Sequence, residues 1–142
     1  MSQDKYCRLI MSYGALTGLE KPGRVIEGSP ICVNKIPFSL IYDHKTDSDN
    51  LFIYGDLGAL SESDKREFQR VLLSANLSFY ADYGACLALS PTSEHATFCL
   101  SIPLDALTPE GLHERLRAAA CVAQAWREQF HSAGEQASAT RV

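Results

Sequence analysis

The chain has 142 residues, of which 46% are apolar and 21% charged, with a formal net charge of −4. Those values fit one soluble globular domain, long enough to bury a core without help from a disulfide or a metal. The acidic balance and the absence of a Lys/Arg-rich run argue against nucleic acid as the main partner, and no stretch approaches the roughly 18 apolar residues that span a bilayer.

The first predicted element is a helix over 3–17, with Tyr6, Leu9, Ile10, Tyr13 and Leu16 on one face and Gly18 placed as its C-terminal cap. Residues 19–28, with Pro22-Gly23, read as a linker. Ile31-Cys32-Val33 then begins a set of β segments, with Asn34-Lys35 as a tight turn. Over 36–42, Phe38, Leu40 and Tyr42 alternate with Ser39 and Ile41, and Pro37 marks an edge or bulge. A polar loop over 43–50 leads to the strand 51–57. There Leu51, Ile53 and Leu57 lie on one face and Phe52 and Tyr54 on the other, so both faces carry large apolar groups.

The next helix is entered through Ser61-Glu62-Ser63-Asp64, with Ser61 as the cap and Asp64 three residues on. Phe68, Val71, Leu72, Ala75 and Phe79 make one apolar stripe along it, and Leu73, Leu77 and Tyr80 make a second, about 100° around the axis. The chain's own sheet covers one stripe; a second subunit is the simplest cover for the other. Strands over 85–89 and 96–102 pair around Ser90-Pro91-Thr92-Ser93. A last helix starts at Thr108-Pro109-Glu110 and buries Leu112, Leu116, Ala119, Ala123, Trp126 and Phe130. The expected organisation is a single α+β domain over 1–132, in the order α-β-β-β-α-β-β-α, with helices packed on a twisted antiparallel sheet. Residues 133–142 form a small polar tail expected to be disordered.

Catalytic and metal signatures are thin. His95 and Cys99 would lie about 13 Å apart on a strand, too far to share zinc. Asp43, Asp47 and Asp49 lack the central Gly and distal Glu of a calcium loop. Gly14-x-x-x-Gly18 and Gly55-x-x-Gly58 do not lead into Gly-Lys-Ser/Thr. Neither a catalytic residue, a metal nor a cofactor is expected. The five cysteines include no C-x-x-C pair and suit a reducing compartment, and Met1-Ser2-Gln3-Asp4-Lys5 lacks the plan of a signal peptide. A cytoplasmic protein without membrane contact is expected.

The order of elements, the acidic charge and several residue patterns resemble the class I chaperones of bacterial type III secretion, the group that includes the chaperone of the translocated intimin receptor. The patterns are Leu72-Leu73-Ser74-Ala75-Asn76-Leu77, Gly84-Ala85-Cys86-Leu87-Ala88-Leu89, Leu100-Ser101-Ile102-Pro103-Leu104 and Trp126. The resemblance covers residues 3–131. It implies a homodimer without enzymatic activity that binds the N-terminal region of a secreted effector and keeps it soluble and competent for secretion. It assigns Leu72, Leu73, Asn76, Leu77, Leu87 and Leu89 to the dimer interface. Effector binding falls to Leu9, Tyr13, Ile31, Val33, Phe38, Leu40, Phe52 and Tyr54. The alternative is a regulatory or protein-binding module of the same fold with no exported client.

Overall fold

In the computed structural model, which describes residues 2–59 and 65–139, the chain opens with helix α1 (Ser2–Thr17). The helix stops at Gly18, whose φ of 75° is left-handed. The Leu19 N–H returns to the Gly14 carbonyl at 3.0 Å, closing the last turn. A second helix, α2 (Pro22–Ile26), occupies what the sequence reads as a linker. Five residues give no periodicity to detect. Its start is pre-set by Pro22 and its place is fixed by buried Val25.

Strands β1 (Ile31–Val33) and β2 (Ile36–Ile41) form a hairpin. Asn34 and Lys35 in its turn both have positive φ, 50° and 69°, the geometry whose twist matches paired strands. Strand β3 (Asn50–Gly58) follows, then helix α3 (Lys65–Tyr83), β4 (Ala85–Leu89) and β5 (Ala96–Pro103). The sheet order is β1-β2-β3-β5-β4, with every neighbouring pair antiparallel. A 3₁₀ turn (Leu104–Ala106) leads to helix α4 (Pro109–Ala139). Thr108 caps α4, its hydroxyl accepting the Gly111 N–H at 3.0 Å. The backbone stays helical to Ala139, past the boundary at 132 where the tail is expected to begin. The expected cap at Ser61 with Asp64, and the side chain of Phe130, lie outside the described residues. The architecture is the α+β one expected, with α2 added.

Alternation along the strands sends Phe38, Leu40, Leu51, Ile53, Phe98 and Ile102 to one face of the sheet, where all are buried. Helix α4 lies across β1, β2 and β3 on that face, and α1 lies against α4. Tyr6, Ile10 and Tyr13 from α1 meet Leu112, Leu116 and Ala120 from α4 in one core. Arg127 ties α4 to the first hairpin by donating to the Lys35 carbonyl at 3.3 Å. Gly55 makes room for the opposing Phe38 ring, which would stand 2.8 Å from a Cβ there.

Tyr6 is 2% exposed and stacks on Tyr42 at 5.1 Å between ring centroids. Burial, with a smaller contribution from Cys7, pushes its phenol up to about 12 from an ordinary 10.0. The unfolded chain gives up that proton near pH 10 and the folded chain holds it to about 12. Stability from Tyr6 is therefore complete below about pH 10 and is lost as pH rises toward 12. The urea midpoint should fall steeply over that window, and less steeply in Tyr6→Phe. Equal pH dependence in the two proteins would contradict this account.

Candidate interaction surface

The outer face of the sheet receives the other half of each alternation. Ser39, Tyr54, Cys99 and Cys86 stand in one row across four strands, and Ile41, Phe52 and Ser101 in the next. Ile41 is 52% exposed and Tyr54 36%, while Phe52 is half-buried. Toward α3 the face dips into an open recess of about 290 Å³, walled by Phe52, Tyr54, Cys86 and Cys99 and rimmed by Tyr80 and Gly84. Helices α1 and α4 both serve the inner face, so the described helices leave the aromatic groups of the outer face largely uncapped.

Helix α3 packs along β4, at the edge of the sheet. Its first stripe turns inward: Leu72 and Phe79 are buried, with the Phe79 ring edge-on to Phe98 at 6.1 Å and tilted against Trp126 at 5.9 Å. The second stripe turns to solvent, with Leu73 74%, Leu77 83% and Tyr80 78% exposed. Side chains of that size and exposure, in line on one helix and continuous with an apolar recess, mark a contact surface.

Asn76 sits between the stripes and faces the sheet edge. Its side-chain nitrogen donates to the Leu87 carbonyl at 2.9 Å, and its side-chain oxygen accepts the Leu87 N–H at 2.5 Å. One carboxamide thus satisfies both outward backbone groups at the centre of β4, as a neighbouring strand would. An ion pair and a hydrogen bond hold the adjoining turn: Lys65 with Glu94 at 3.0 Å, and His95 Nδ1 with an Asp56 carboxylate oxygen at 3.0 Å.

The expected site residues divide sharply. Of the effector-binding set, Leu9, Tyr13, Ile31, Phe38 and Leu40 are core side chains between sheet and helices, and Val33 is half-buried on the same inner face. Only Phe52 and Tyr54 stand on the outer face. Of the dimer set, Leu73 and Leu77 are exposed and Leu89 is 36% exposed. Leu72 and Leu87 are buried within the chain, and Asn76 is partnered within it. Ile41 and Cys86 belong to the surface although neither was singled out; the alternation with Phe38 and Leu40, and with Leu87, carries that signal. Met11 and Leu16 on α1 are also exposed, at 51% and 49%.

Two loop carboxyls are held by the fold. The Thr46 hydroxyl and the Lys45 N–H hold the Asp43 carboxyl below its ordinary range, and the Asn50 side chain and the Asp49 N–H do the same for Asp47. Among the described residues no group of three or more His, Cys, Asp or Glu is placed to hold a metal ion, and no helix is long and apolar enough to cross a membrane.

Residues 35–127 match the model of the Tir chaperone protein (CesT) family. The chain belongs to that family. Among curated proteins no sequence matches it. Among solved structures, the ExsC-ExsE complex contains a chain that superposes with a TM-score of 0.72 at 16% identity, covering 90% of this chain and 95% of that one. A chain of the HopA1-SchA chaperone-effector complex gives 0.64 at 19%, covering 93% and 97%. A chain of the complex between the Yersinia pestis type III secretion chaperone SycH and a fragment of YscM2 gives 0.58 at 16%, covering 84% and 98%. The family and the fold thus agree with the sequence resemblance.

In this family member, Asn76→Ala should leave the Leu87 N–H and carbonyl without their partner and cost about 1–3 kcal/mol. Urea unfolding measures it. Hydrogen exchange should show the Leu87 amide losing protection, and an unchanged amide would contradict the edge role of Asn76.

Proposed function

We propose that this chain is a homodimeric type III secretion chaperone that binds the N-terminal segment of a secreted effector in extended form and keeps it competent for export. The carrying observation is the exposed apolar surface formed by Leu73, Leu77 and Tyr80 together with the outer sheet face. A small acidic protein gains nothing by showing so much apolar surface to water, and gains a great deal by burying it against a second chain. Membership of the family supports the reading. So do the three solved relatives, each seen in a complex, one of them a chaperone with its effector.

Two surfaces divide the work in this proposal. The α3 stripe, with Leu89 beside it, mates with its copy. The client takes the apolar positions left open, including Phe52 and Tyr54, and adds main-chain hydrogen bonds at a sheet edge, where side-chain pockets give selectivity. Leu9, Tyr13, Ile31, Phe38 and Leu40 contribute by shaping the layer beneath. The chain works as a binding protein in the cytoplasm, without catalysis, cofactor or metal.

Leu73→Asp and Leu77→Asp should each convert the dimer to a monomer, because a carboxylate cannot be desolvated there without a partner. The monomer should keep its fold, since both positions are exposed in the protomer. Sedimentation with circular dichroism reads both at once; an unaltered dimer mass would remove α3 from the interface. For the client, affinity capture from a secreting bacterium should recover an exported protein bound through its N-terminal tens of residues. Recovery of only non-exported proteins would favour a regulatory module of the same fold.

A further inference from the structure

Cys86 and Cys99 play no part in the core or in the α3 stripe, yet the sheet sets them face to face. They are direct partners across β4 and β5 and project to the same, outer side. The Ser90 N–H bonds to the His95 carbonyl at 2.9 Å. Counting by twos from that pair puts Cys86 and Cys99 in a hydrogen-bonded cross-strand position, where Cα atoms lie about 5.5 Å apart. That Cα separation falls within the range a disulfide spans, roughly 4.4–6.8 Å. The Cβ atoms, about 5.5 Å apart in such a pair, must draw in to the roughly 3.5–4.5 Å of the closed bond, so edge strand β4 shifts toward β5 on closure. Both thiols wall the same recess; Cys86 is exposed and Cys99 half-buried.

We propose that Cys86 and Cys99 form a dithiol that closes to an intrachain disulfide on exposure to a small-molecule disulfide such as oxidised glutathione. The exposed Cys86 thiolate attacks the oxidant, forming a mixed disulfide and releasing one equivalent of thiol. Cys99 then attacks the Cys86 sulfur, giving up its proton and expelling the second equivalent. Two protein thiols are oxidised, one small disulfide is reduced to two thiols, and both protons leave with those products. The neighbouring thiol is within electrostatic reach: burial first, then the charge and hydrogen bond of Cys86, push Cys99 up to about 12 from 9.0. The closing step accelerates as pH rises, because the Cys99 thiolate is the attacking species. Cys32 and Cys121 are exposed as well, but they have no opposing thiol and stop at the mixed disulfide.

The inference stands on strand register and does not depend on the chaperone reading. Its consequence does touch the proposed surface, because the bond would tie edge strand β4, which carries Leu87 and the Asn76 clamp, covalently to β5. Trypsin leaves both cysteines in one peptide, residues 71–115, and cleavage after Glu94 separates them. The full-length protein treated with oxidised glutathione should yield that peptide two hydrogens lighter, its halves staying joined after cleavage until reduced. Cys99→Ser should instead retain glutathione on Cys86, and Cys86→Ser should leave Cys99 unmodified. A stable glutathione adduct on Cys86 of the unmutated protein, or a reduced pair while Cys32 and Cys121 are modified, would overturn the proposal.

Discussion

A five-stranded sheet has two faces and two edges, and the described helices of this chain cover one of each. Helices α1 and α4 serve the inner face, and α3 serves the β4 edge. Everything distinctive about the surface follows from that shortage. The inner face carries the fully buried residues, Phe38, Leu51 and Ile53 among them. The outer face has the same backbone and comparable aromatic content but no helix of its own. A sheet built this way folds on one side and is left with apolar groups to satisfy on the other.

The link between edge and outer face is Asn76. A carboxamide has one donor group and one acceptor in a fixed plane, which is what the middle residue of an unpaired strand presents in reverse. By bonding both groups of Leu87 it holds α3 against β4 at one rotational setting. At that setting Leu72 and Phe79 enter the core while Leu73, Leu77 and Tyr80 face out. Turning the helix by about 100° would exchange the two stripes, so a polar residue here fixes which apolar residues face outward. The same helix also supplies Tyr80 to the rim of the recess, making edge and face one continuous surface.

Much of this was legible in the sequence, for identifiable reasons. The two stripes of α3 are a consequence of helical period, and the structure separates them as the period demands. The strand alternations gave both faces of β3 and β5, and Asn34-Lys35 gave the first turn. The assignment of the effector-binding residues was less legible. Periodicity says that Leu9 and Tyr13 share a face, and that Phe38 and Leu40 share one, but it does not say whether those faces meet each other. They do, in the core, because α1 and α4 chose the same side of the sheet. The partner of Asn76, eleven residues away on the next strand, and the pairing of His95 with Asp56 across 39 residues are tertiary contacts with no local signature. Helix α2 was invisible because five residues carry no period.

The central claim is that the exposed α3 stripe is covered by a second copy of the chain. The native mass of the unmutated protein, followed by sedimentation equilibrium over a wide dilution series, tests it most directly. A species of twice 15.6 kDa that persists into the nanomolar range is the predicted result. A mass of 15.6 kDa at every concentration would contradict the account, since Leu73, Leu77 and Tyr80 would then face water with nothing to cover them.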